Sequence, residues 1–395
     1  MRRDGGDRRL HCASPGRAGG VLILACALLL GGCQSSAVRT LNHADDTRQL
    51  SEYESRRWYA AEELDRHWRN KGLIYSDGAL GDYLQGIAVA LYPEFGGTLK
   101  LRVLDSPDLN AFALPNGSVY LNLGLIARME NEAQLATIVA HEVSHFKFQH
   151  SLKQRHATEG AVVAGWAVTL LTGIPLSGQL LALGAMSGYS QDAEREADRE
   201  GFARMVAHGY DPGSAAAVFD IMRAEAEALD SDEPWLYASH PKLTERMQTM
   251  QSLAVQQPSA GGRRESARFL RETGDLRSVL LDRYLIGQKY KQLIHVLENA
   301  EIRPRYPGHA DFYLGEAYRQ RAEEGDGARA LAAYHKAVGL APDFAPSYRA
   351  LALIRMQNDE RPEARRLFKR YLELAPEAID RKYIEMYLQR IEGES

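Results

Sequence analysis

Cysteine is scarce in this chain and is confined to its beginning. All three cysteines, Cys12, Cys26 and Cys33, fall within the first 33 of 395 residues, which excludes a disulfide framework for the rest of the chain. An excess of one charge is also lacking, because 48 Lys and Arg residues stand against 52 Asp and Glu residues. No long basic run follows the N-terminus, so no nucleic-acid partner is expected.

Apolar runs long enough to cross a bilayer as a helix are lacking too. The run 21–30 has ten residues, whereas a membrane span needs about 20. It follows several arginines and precedes Gly31 and Gly32, which is the order of parts in a secretory signal. We therefore expect this segment to be removed from the mature protein.

Cys33 closes the sequence Leu-Gly-Gly-Cys, which resembles a bacterial lipobox. This predicts that residues 1–32 are a signal peptide and that Cys33 is lipidated, with multiple acyl chains forming a stable membrane anchor. Gln34 follows the cysteine, which favours the outer membrane over the inner one and a periplasmic location. A plain signal peptide with an incidental cysteine is the alternative.

The stretch 160–191 contains no charged side chain. Thr172, Gly173 and Pro175 interrupt it, so that each apolar piece falls short of a membrane span. Short apolar pieces are usually core helices, which favours a buried helical hairpin over segments that dip into the membrane. Both interpretations stay open at this point.

Elsewhere, periodicity and turn residues predict helices and a few short strands. Apolar residues recur at helical spacing over about 53–92, and a further helix is predicted from Asp192 through Ala207. Short strands are predicted at 99–104, 111–114 and 118–123, with the turn Pro-Asn-Gly at 115–117.

Residues 141–145 read His-Glu-Val-Ser-His, an H-E-x-x-H motif in a helix predicted from the N-cap Asn131 to about Ser151. At about 100° per residue His141 and His145 lie on one helix face, so both imidazoles can bind one zinc ion. Glu142 stands beside them to take a proton from water. The flanking apolar residues argue against a chance match on a solvated helix.

A catalytic zinc ion needs a third protein ligand and one open position. His150 lies about 180° round the helix from His141, with no Gly to break the helix, so we do not expect it to bind the metal. The stretch 194–198 offers two carboxylates four residues apart on one helix face: Glu194 could bind the zinc ion while Asp198 accepts the other ring proton of a ligand histidine. Glu196 and Glu200 are expected to be solvated helix charges.

The C-terminal part contains a repeat with a period of 34 residues. Residues Ala330, Tyr334, Ala337 and Pro342 recur as Ala364, Phe368, Tyr371 and Pro376. This pattern resembles the tetratricopeptide repeat, a helix-turn-helix unit of that length. Residues 279–300 are expected to form a degenerate earlier unit, because a stable stack normally needs three units, and 377–392 a capping helix.

The His-Glu-Val-Ser-His helix, Glu-Arg-Glu-Ala-Asp at 194–198 and Asn-Ala-Phe-Ala-Leu-Pro-Asn-Gly at 110–117 together resemble the zinc metallopeptidase family of HtpX, LoiP and the CAAX prenyl proteases. With a signal segment and a repeat tail, the chain is most similar to the BepA-type members. The resemblance covers roughly 70–255 and, for the tail, 280–390.

The resemblance implies roles for the matching residues. The zinc ligands, one ion per chain, would be His141, His145 and Glu194, with Glu142 as general base and Asp198 as hydrogen-bond acceptor behind the ligands. The stretch Asn110, Ala111, Phe112 and Ala113 would be an edge strand that pairs with an extended substrate backbone, which predicts broad specificity for unfolded or extended segments.

His240-Pro241 with Arg246 also resembles a segment of this family, and the resemblance implies that Arg246, like Asp198, supports the zinc ligands from behind. The corresponding histidine can occupy the open position of the zinc ion and keep the enzyme latent. Alternatively, His240 stabilises the tetrahedral intermediate, or it is a loop histidine with no metal role. The exchange His240→Ala separates these by raising, lowering or not changing the activity.

The expected fold is α+β: a mainly helical, zincin-like metalloprotease domain with a small sheet, followed by an all-α tetratricopeptide-repeat solenoid. The expected function is a zinc endopeptidase of the bacterial envelope that cleaves unfolded or misassembled outer-membrane proteins, with repeats that recruit clients or the barrel-assembly machinery. The alternative is a latent protease that acts mainly as a chaperone or binding scaffold. The expected parts are 1–32 (signal peptide), 33–52 (tether), 53–255 (metalloprotease domain), 256–265 (linker) and 266–395 (repeat domain).

Overall fold

The computed structural model describes residues 38–155, 189–228, 243–257 and 261–393. The predicted signal segment with Cys33, most of the uncharged stretch 160–191, and His240 lie outside these residues. The chain from Thr40 onward forms one compact unit.

The N-terminal helical region consists of two helices, α1 (Glu52–Asn70) and α2 (Gly78–Leu91). Apolar spacing predicted helical structure throughout 53–92, and that prediction is wrong for the residues between these helices. The chain turns at Gly72, whose φ is 67°, and Ile74 then forms a β-bridge with Leu104. Asp77 begins α2 because its carboxylate accepts a hydrogen bond from the Leu80 amide.

Three short strands form one sheet: β1 (Lys100–Leu104), β2 (Ala111–Ala113) and β3 (Ser118–Asn122). Their order is β1-β3-β2, with β1 parallel and β2 antiparallel to β3. The predicted turn between β2 and β3 ends at Gly117, whose φ of 79° suits glycine. The small sheet of the predicted α+β class is confirmed, and β2 is an edge strand of the sheet as described.

The helices that build the site follow the sheet. Asn131 caps the central one as predicted, since its side chain accepts a hydrogen bond of 3.0 Å from the Gln134 amide. Their bounds are α3 (Leu123–Arg128), α4 (Glu132–Lys147), α5 (His150–Arg155), α6 (Gln191–Ala207), α7 (Gly213–Ala228) and α8 (Leu243–Val255).

The end of α4 differs from the prediction, which extended this helix to about Ser151. The helix ends at Lys147, and Gln149 adopts a left-handed conformation with a φ of 55° although it is not glycine. Its side-chain amide donates a hydrogen bond to the Phe146 carbonyl, which satisfies one of the last carbonyls of the helix. The chain therefore turns, and a separate short helix begins at His150.

From residue 266 to 393 the regular structure is helical, apart from one short 3₁₀ turn at Arg303–Arg305. In the helix Ala310–Arg321 (α12), an added Cβ on Gly315 would lie 2.6 Å from the Tyr334 ring of the helix Asp326–Leu340 (α13), so that a larger residue does not fit at this contact. The helices are α9 (Ser266–Thr273), α10 (Leu276–Ile286), α11 (Tyr290–Glu298), α12 (Ala310–Arg321), α13 (Asp326–Leu340), α14 (Ala345–Gln357), α15 (Arg361–Leu374) and α16 (Arg381–Gly393).

The first helices of this C-terminal part pack on the α4 region. The Arg277 guanidinium donates to the Met129 carbonyl at 2.9 Å, and Tyr284 is fully buried in the same apolar core as α4. Just before α9, Arg263 forms a β-bridge with Tyr210. The C-terminal end of the predicted linker is therefore held against the preceding helices.

Among the residues that the structure describes, none of the helices combines the length and the apolar character that crossing a bilayer requires.

Candidate metal centre

Helix α4 carries the first half of the site. His141, Glu142 and His145 are all buried, at 3%, 2% and 1% exposure. Because the two histidines are four residues apart in a helix, their rings lie on the same face, with centroids 4.6 Å apart. Their Nε2 atoms face each other at 2.9 Å. The predicted helix and its pairing of the two imidazoles are thus present.

Helix α6 supplies the third group of the site, the carboxylate of Glu194. Its oxygens lie 3.5 Å from His141 Nε2 and 3.5 Å from His145 Nε2, and the three groups can each offer one ligand atom to a common ion. Ligands bound to tetrahedral zinc at about 2.0–2.1 Å are separated from one another by roughly 3.3–3.6 Å. The distance from each imidazole to Glu194 therefore fits a zinc ion, and so does the donor set of two nitrogens and one oxygen. The two imidazole nitrogens, at 2.9 Å, lie closer together than two ligands of one zinc ion would.

Close packing of α6 on α4 makes this convergence possible. An added Cβ on Gly201 would lie 2.9 Å from the backbone nitrogen of His141 and 3.1 Å from its Cα. Only glycine allows the two backbones to approach this closely. Gly201 lies seven residues after Glu194 and three after Asp198 on one helix face, and this spacing is a signal that sequence reasoning missed.

Gly201→Ala is expected to lower the free energy of unfolding by about 1–3 kcal/mol, because the added methyl group would push the backbones of α4 and α6 apart. The same shift should weaken zinc binding. Urea unfolding of the metal-free protein and a zinc competition titration measure the two effects. The matched control is Gly86→Ala in α2, where an added Cβ meets nothing within 4 Å. Equal stability of the two variants would contradict this role of Gly201.

Behind the ligands lie Asp198 and Arg246, the two residues predicted to support them. The Asp198 carboxylate is 2.9 Å from His141 Nδ1, as expected for an acceptor that orients a ligand imidazole. Arg246 of α8 donates two hydrogen bonds to Asp198, at 2.7 and 3.0 Å, and its Nη1 lies 3.0 Å from Glu194. One buried cation therefore contacts both Glu194 and Asp198.

The charges in this cluster stabilise one another. Burial alone would raise the pKa of Asp198, but Arg246 and the hydrogen bond with His141 hold it well below its usual value. Burial alone would lower the pKa of Arg246, and the carboxylates of Asp198, Glu194 and Glu142 raise it instead. Asp198 is therefore ionised at neutral pH and remains a hydrogen-bond acceptor.

A second group of side chains surrounds His145. The Tyr189 ring is stacked on it at 3.8 Å between centroids, and His150 Nδ1 lies 2.9 Å from His145 Nδ1. His150 Nε2 lies 3.0 Å from the Glu196 carboxylate. Burial lowers the pKa of His150, so its imidazole is neutral at pH 7. Sequence reasoning missed this arrangement because it assumed an unbroken helix up to Ser151.

Two further expectations about α6 need correction. Glu196 and Glu200 were expected to be solvated. The Glu196 side chain is 46% exposed, as expected, but it also contacts His150. Glu200 is 23% exposed and pairs with Lys147 at 2.5 Å and with Arg204 at 3.0 Å. The reason is that α6 lies along α4, so these carboxylates face polar side chains. As expected, His150 does not belong to the metal-binding group.

The predicted substrate strand is β2, preceded by Asn110. Ala111 lies opposite Leu121 of β3, and β2 also contacts α4. The other edge of β2 is not paired within the described part of the sheet. His240, the predicted latency or catalytic residue, lies outside the described residues.

Comparison with known proteins agrees with this site. Residues 87–254 match the model of Peptidase family M48, a family of zinc metallopeptidases, and this range contains the H-E-x-x-H helix and Glu194. The predicted family resemblance is confirmed.

Three relatives illustrate the match. The beta-barrel assembly-enhancing protease of Escherichia coli K12 is 26% identical over 206 residues, 48% of this chain and 42% of that protein. Metalloprotease YcaL of the same organism is 29% identical over 246 residues, covering 57% and 92%. The mitochondrial metalloendopeptidase OMA1 of Schizosaccharomyces pombe is 29% identical over 178 residues, covering 44% and 51%. The chain thus spans less than half of the length of the barrel assembly-enhancing protease.

Proposed function

We propose, from the premise that residues 87–254 are a Peptidase family M48 domain, that this protein is a zinc-dependent endopeptidase of the bacterial cell envelope. Its substrates would be unfolded or misassembled proteins, outer-membrane proteins in particular. The observation that carries the proposal is the convergence of His141, His145 and Glu194, with Glu142 on the same helical turn.

The residues divide the chemistry among them. His141, His145 and Glu194 would hold the zinc ion. The ion would polarise the peptide carbonyl of the substrate and lower the pKa of a water molecule to about 7. Glu142 takes the proton of the attacking water and returns it to the leaving amine, as a general base and then a general acid. Asp198 holds the His141 ring in the orientation that leaves Nε2 for the metal.

We propose that substrates bind along β2. An extended peptide that adds to the edge of Ala111–Ala113 that is unpaired in the described sheet would form backbone hydrogen bonds, which depend little on side-chain identity. All three residues are buried, so the strand must become accessible before a peptide can pair with it. This mode favours segments that have no secondary structure of their own. Unfolded regions of many proteins would then be cleaved, whereas compact native domains would not.

The helices from α12 to α15 are proposed to be tetratricopeptide repeats. The 34-residue period and the packing of α12 on α13 and of α14 on α15 support this. Such repeats would recruit clients. A relative is named a beta-barrel assembly-enhancing protease, which makes the barrel-assembly machinery a candidate partner here. The lipobox supports anchoring to the outer membrane through Cys33.

Burial of the site favours a second candidate, a latent protease that acts mainly as a scaffold. Glu142 is only 2% exposed, so its carboxylate is hardly accessible to a peptide in this structure. His240 remains the proposed latency switch or, alternatively, a stabiliser of the tetrahedral intermediate. If the protein acts mainly as a scaffold, the Glu142→Gln variant should retain the cellular function of the protein, whereas removal of 345–395 should abolish it. Deleting all of 266–395 would be a poor test, because α9 and α10 pack directly on helices of the metal-binding part.

The experiment that tests the protease is cleavage of a chemically unfolded outer-membrane barrel protein by the purified chain, compared with the same substrate folded in detergent. We expect cleavage of the unfolded form, loss of cleavage with a zinc chelator, and recovery when zinc is restored. Cleavage that a chelator does not inhibit would contradict the proposal.

A further inference from the structure

The two histidines of the metal-binding group have different environments at their second ring nitrogen. His141 Nδ1 faces the Asp198 carboxylate directly. His145 Nδ1 instead faces another imidazole, His150 Nδ1, at 2.9 Å, and His150 Nε2 faces the Glu196 carboxylate at 3.0 Å. His150 is itself buried, at 4% exposure.

The positions of these nitrogens determine where the protons are. His145 points its Nε2 at Glu194 and His141, so a metal there requires the ring proton on Nδ1. That N–H needs an acceptor, and the His150 Nδ1 that faces it at 2.9 Å is placed to accept it. The remaining proton of His150 is then on Nε2, where it is donated to Glu196.

We propose that His150 is a positioning residue for the metal site: it accepts the Nδ1–H of the ligand His145 and is held in the required tautomer by Glu196. The proposal rests on the zinc site of the proposed function. Hydrogen-bond partners of ligand histidines fix the orientation of the ring and raise its basicity, and losing one typically weakens metal binding 10–100-fold.

Local structure supports this role of His150. The left-handed Gln149 ends α4 and turns the chain, so that the next residue returns to His145 instead of pointing away from it. Phe148 is stacked on the His150 ring and Tyr189 on the His145 ring. Both imidazoles are therefore confined to the orientation that the hydrogen bond needs.

The test is a zinc competition titration with a chromogenic chelator, performed on the full chain in a Glu142→Gln background so that self-cleavage does not interfere. His150→Leu should raise the Kd for zinc by about 10–100-fold. His150→Asn should restore most of the affinity, because its side-chain oxygen can accept at the position of Nδ1. Glu196→Ala should raise the Kd less than His150→Leu does. The matched control is His208→Leu, which removes a histidine at the far end of α6 and should leave the Kd unchanged.

Two results would overturn the proposal: a Kd for His150→Leu within about twofold of the parent, or equal losses for Leu and Asn, which would indicate packing alone. Circular dichroism of the metal-free variants reports whether each one folds. If His150→Leu does not fold, the other two variants decide. A Kd for zinc of His150→Asn close to that of the parent, together with a raised Kd of Glu196→Ala, supports the proposal. An unchanged Kd of Glu196→Ala overturns it. A parent that binds no zinc would instead refute the proposed function itself.

Discussion

Replacing Glu142 by Gln is expected to lower kcat/KM for an unfolded protein substrate by at least about 100-fold, the usual contribution of a general base. The amide of Gln has nearly the same shape as the carboxylate but cannot take a proton from water. Because Glu142 is not one of the three groups placed to bind the metal, the zinc content should stay at one ion per chain. Steady-state cleavage and metal analysis on the same sample check both parts.

The matched control is Glu130→Gln, which makes the same chemical change two residues before α4. Glu130 lies at the protein surface, where its pair with Arg305 contributes at most about 1 kcal/mol. We expect the activity of this variant to equal that of the unchanged protein. Residual cleavage by Glu142→Gln at more than a tenth of the original rate would show that another group acts as the base.

Glu225→Leu is expected to destabilise the protein by about 3–5 kcal/mol, the largest effect on stability that we expect from a single change outside the metal site. Glu225 of α7 forms an ion pair with Arg128 of α3, and their side chains are only 8% and 2% exposed. Burial would lower the pKa of Arg128, but the carboxylate keeps it above its usual value. Without Glu225, the buried guanidinium would lose the carboxylate with which it pairs in the described part of the chain. Urea unfolding of the metal-free protein measures the loss.

The double variant Arg128→Met with Glu225→Leu should recover most of this stability, because two apolar side chains leave no buried charge. Glu385→Leu is the surface control: it breaks the pair with Arg381 in α16, where both side chains are nearly half exposed, and should cost less than about 1 kcal/mol. If the double variant were as unstable as Glu225→Leu, the loss would come from packing and not from the charge.

The ion pair between Arg128 and Glu225 lies where the C-terminal helices contact the metal-binding part. The Tyr284 hydroxyl of α10 lies 3.3 Å from Arg128, and Arg283 and Lys289 form ion pairs with Asp105 and Asp108 in the loop before β2. The first helices after the predicted linker therefore contact both the core of the metal-binding part and the loop that leads into the proposed substrate strand. Substitutions that remove the ion pairs of Arg283 or Lys289 are therefore expected to alter substrate binding along β2.

Features encoded within a few neighbouring residues were predictable from the sequence. The pairing of His141 with His145 follows from the period of one helix, the N-cap Asn131 from its own side chain, and the turn at Gly117 from three adjacent residues. The carboxylate on α6 was predicted from its spacing to Asp198, and the structure places it beside both imidazoles.

Features that depend on contacts between distant parts of the chain were not predictable in this way. The early end of α4 depends on a left-handed Gln149, a conformation that sequence rules reserve mostly for Gly and Asn. The contacts of Glu196 with His150 and of Glu200 with Lys147 exist only because α6 lies along α4. A helical charge pattern alone reads as solvated, since it contains no information about the partner helix.

The account depends most directly on one ion bound by two imidazoles and one carboxylate. X-ray absorption spectroscopy of the zinc-loaded full chain, combined with metal analysis, tests this. We predict one zinc per chain with two histidine nitrogens and carboxylate oxygen at about 2.0–2.2 Å, and loss of stoichiometric zinc in Glu194→Ala. A Glu194→Ala variant that keeps one tightly bound zinc with an unchanged spectrum would contradict the account.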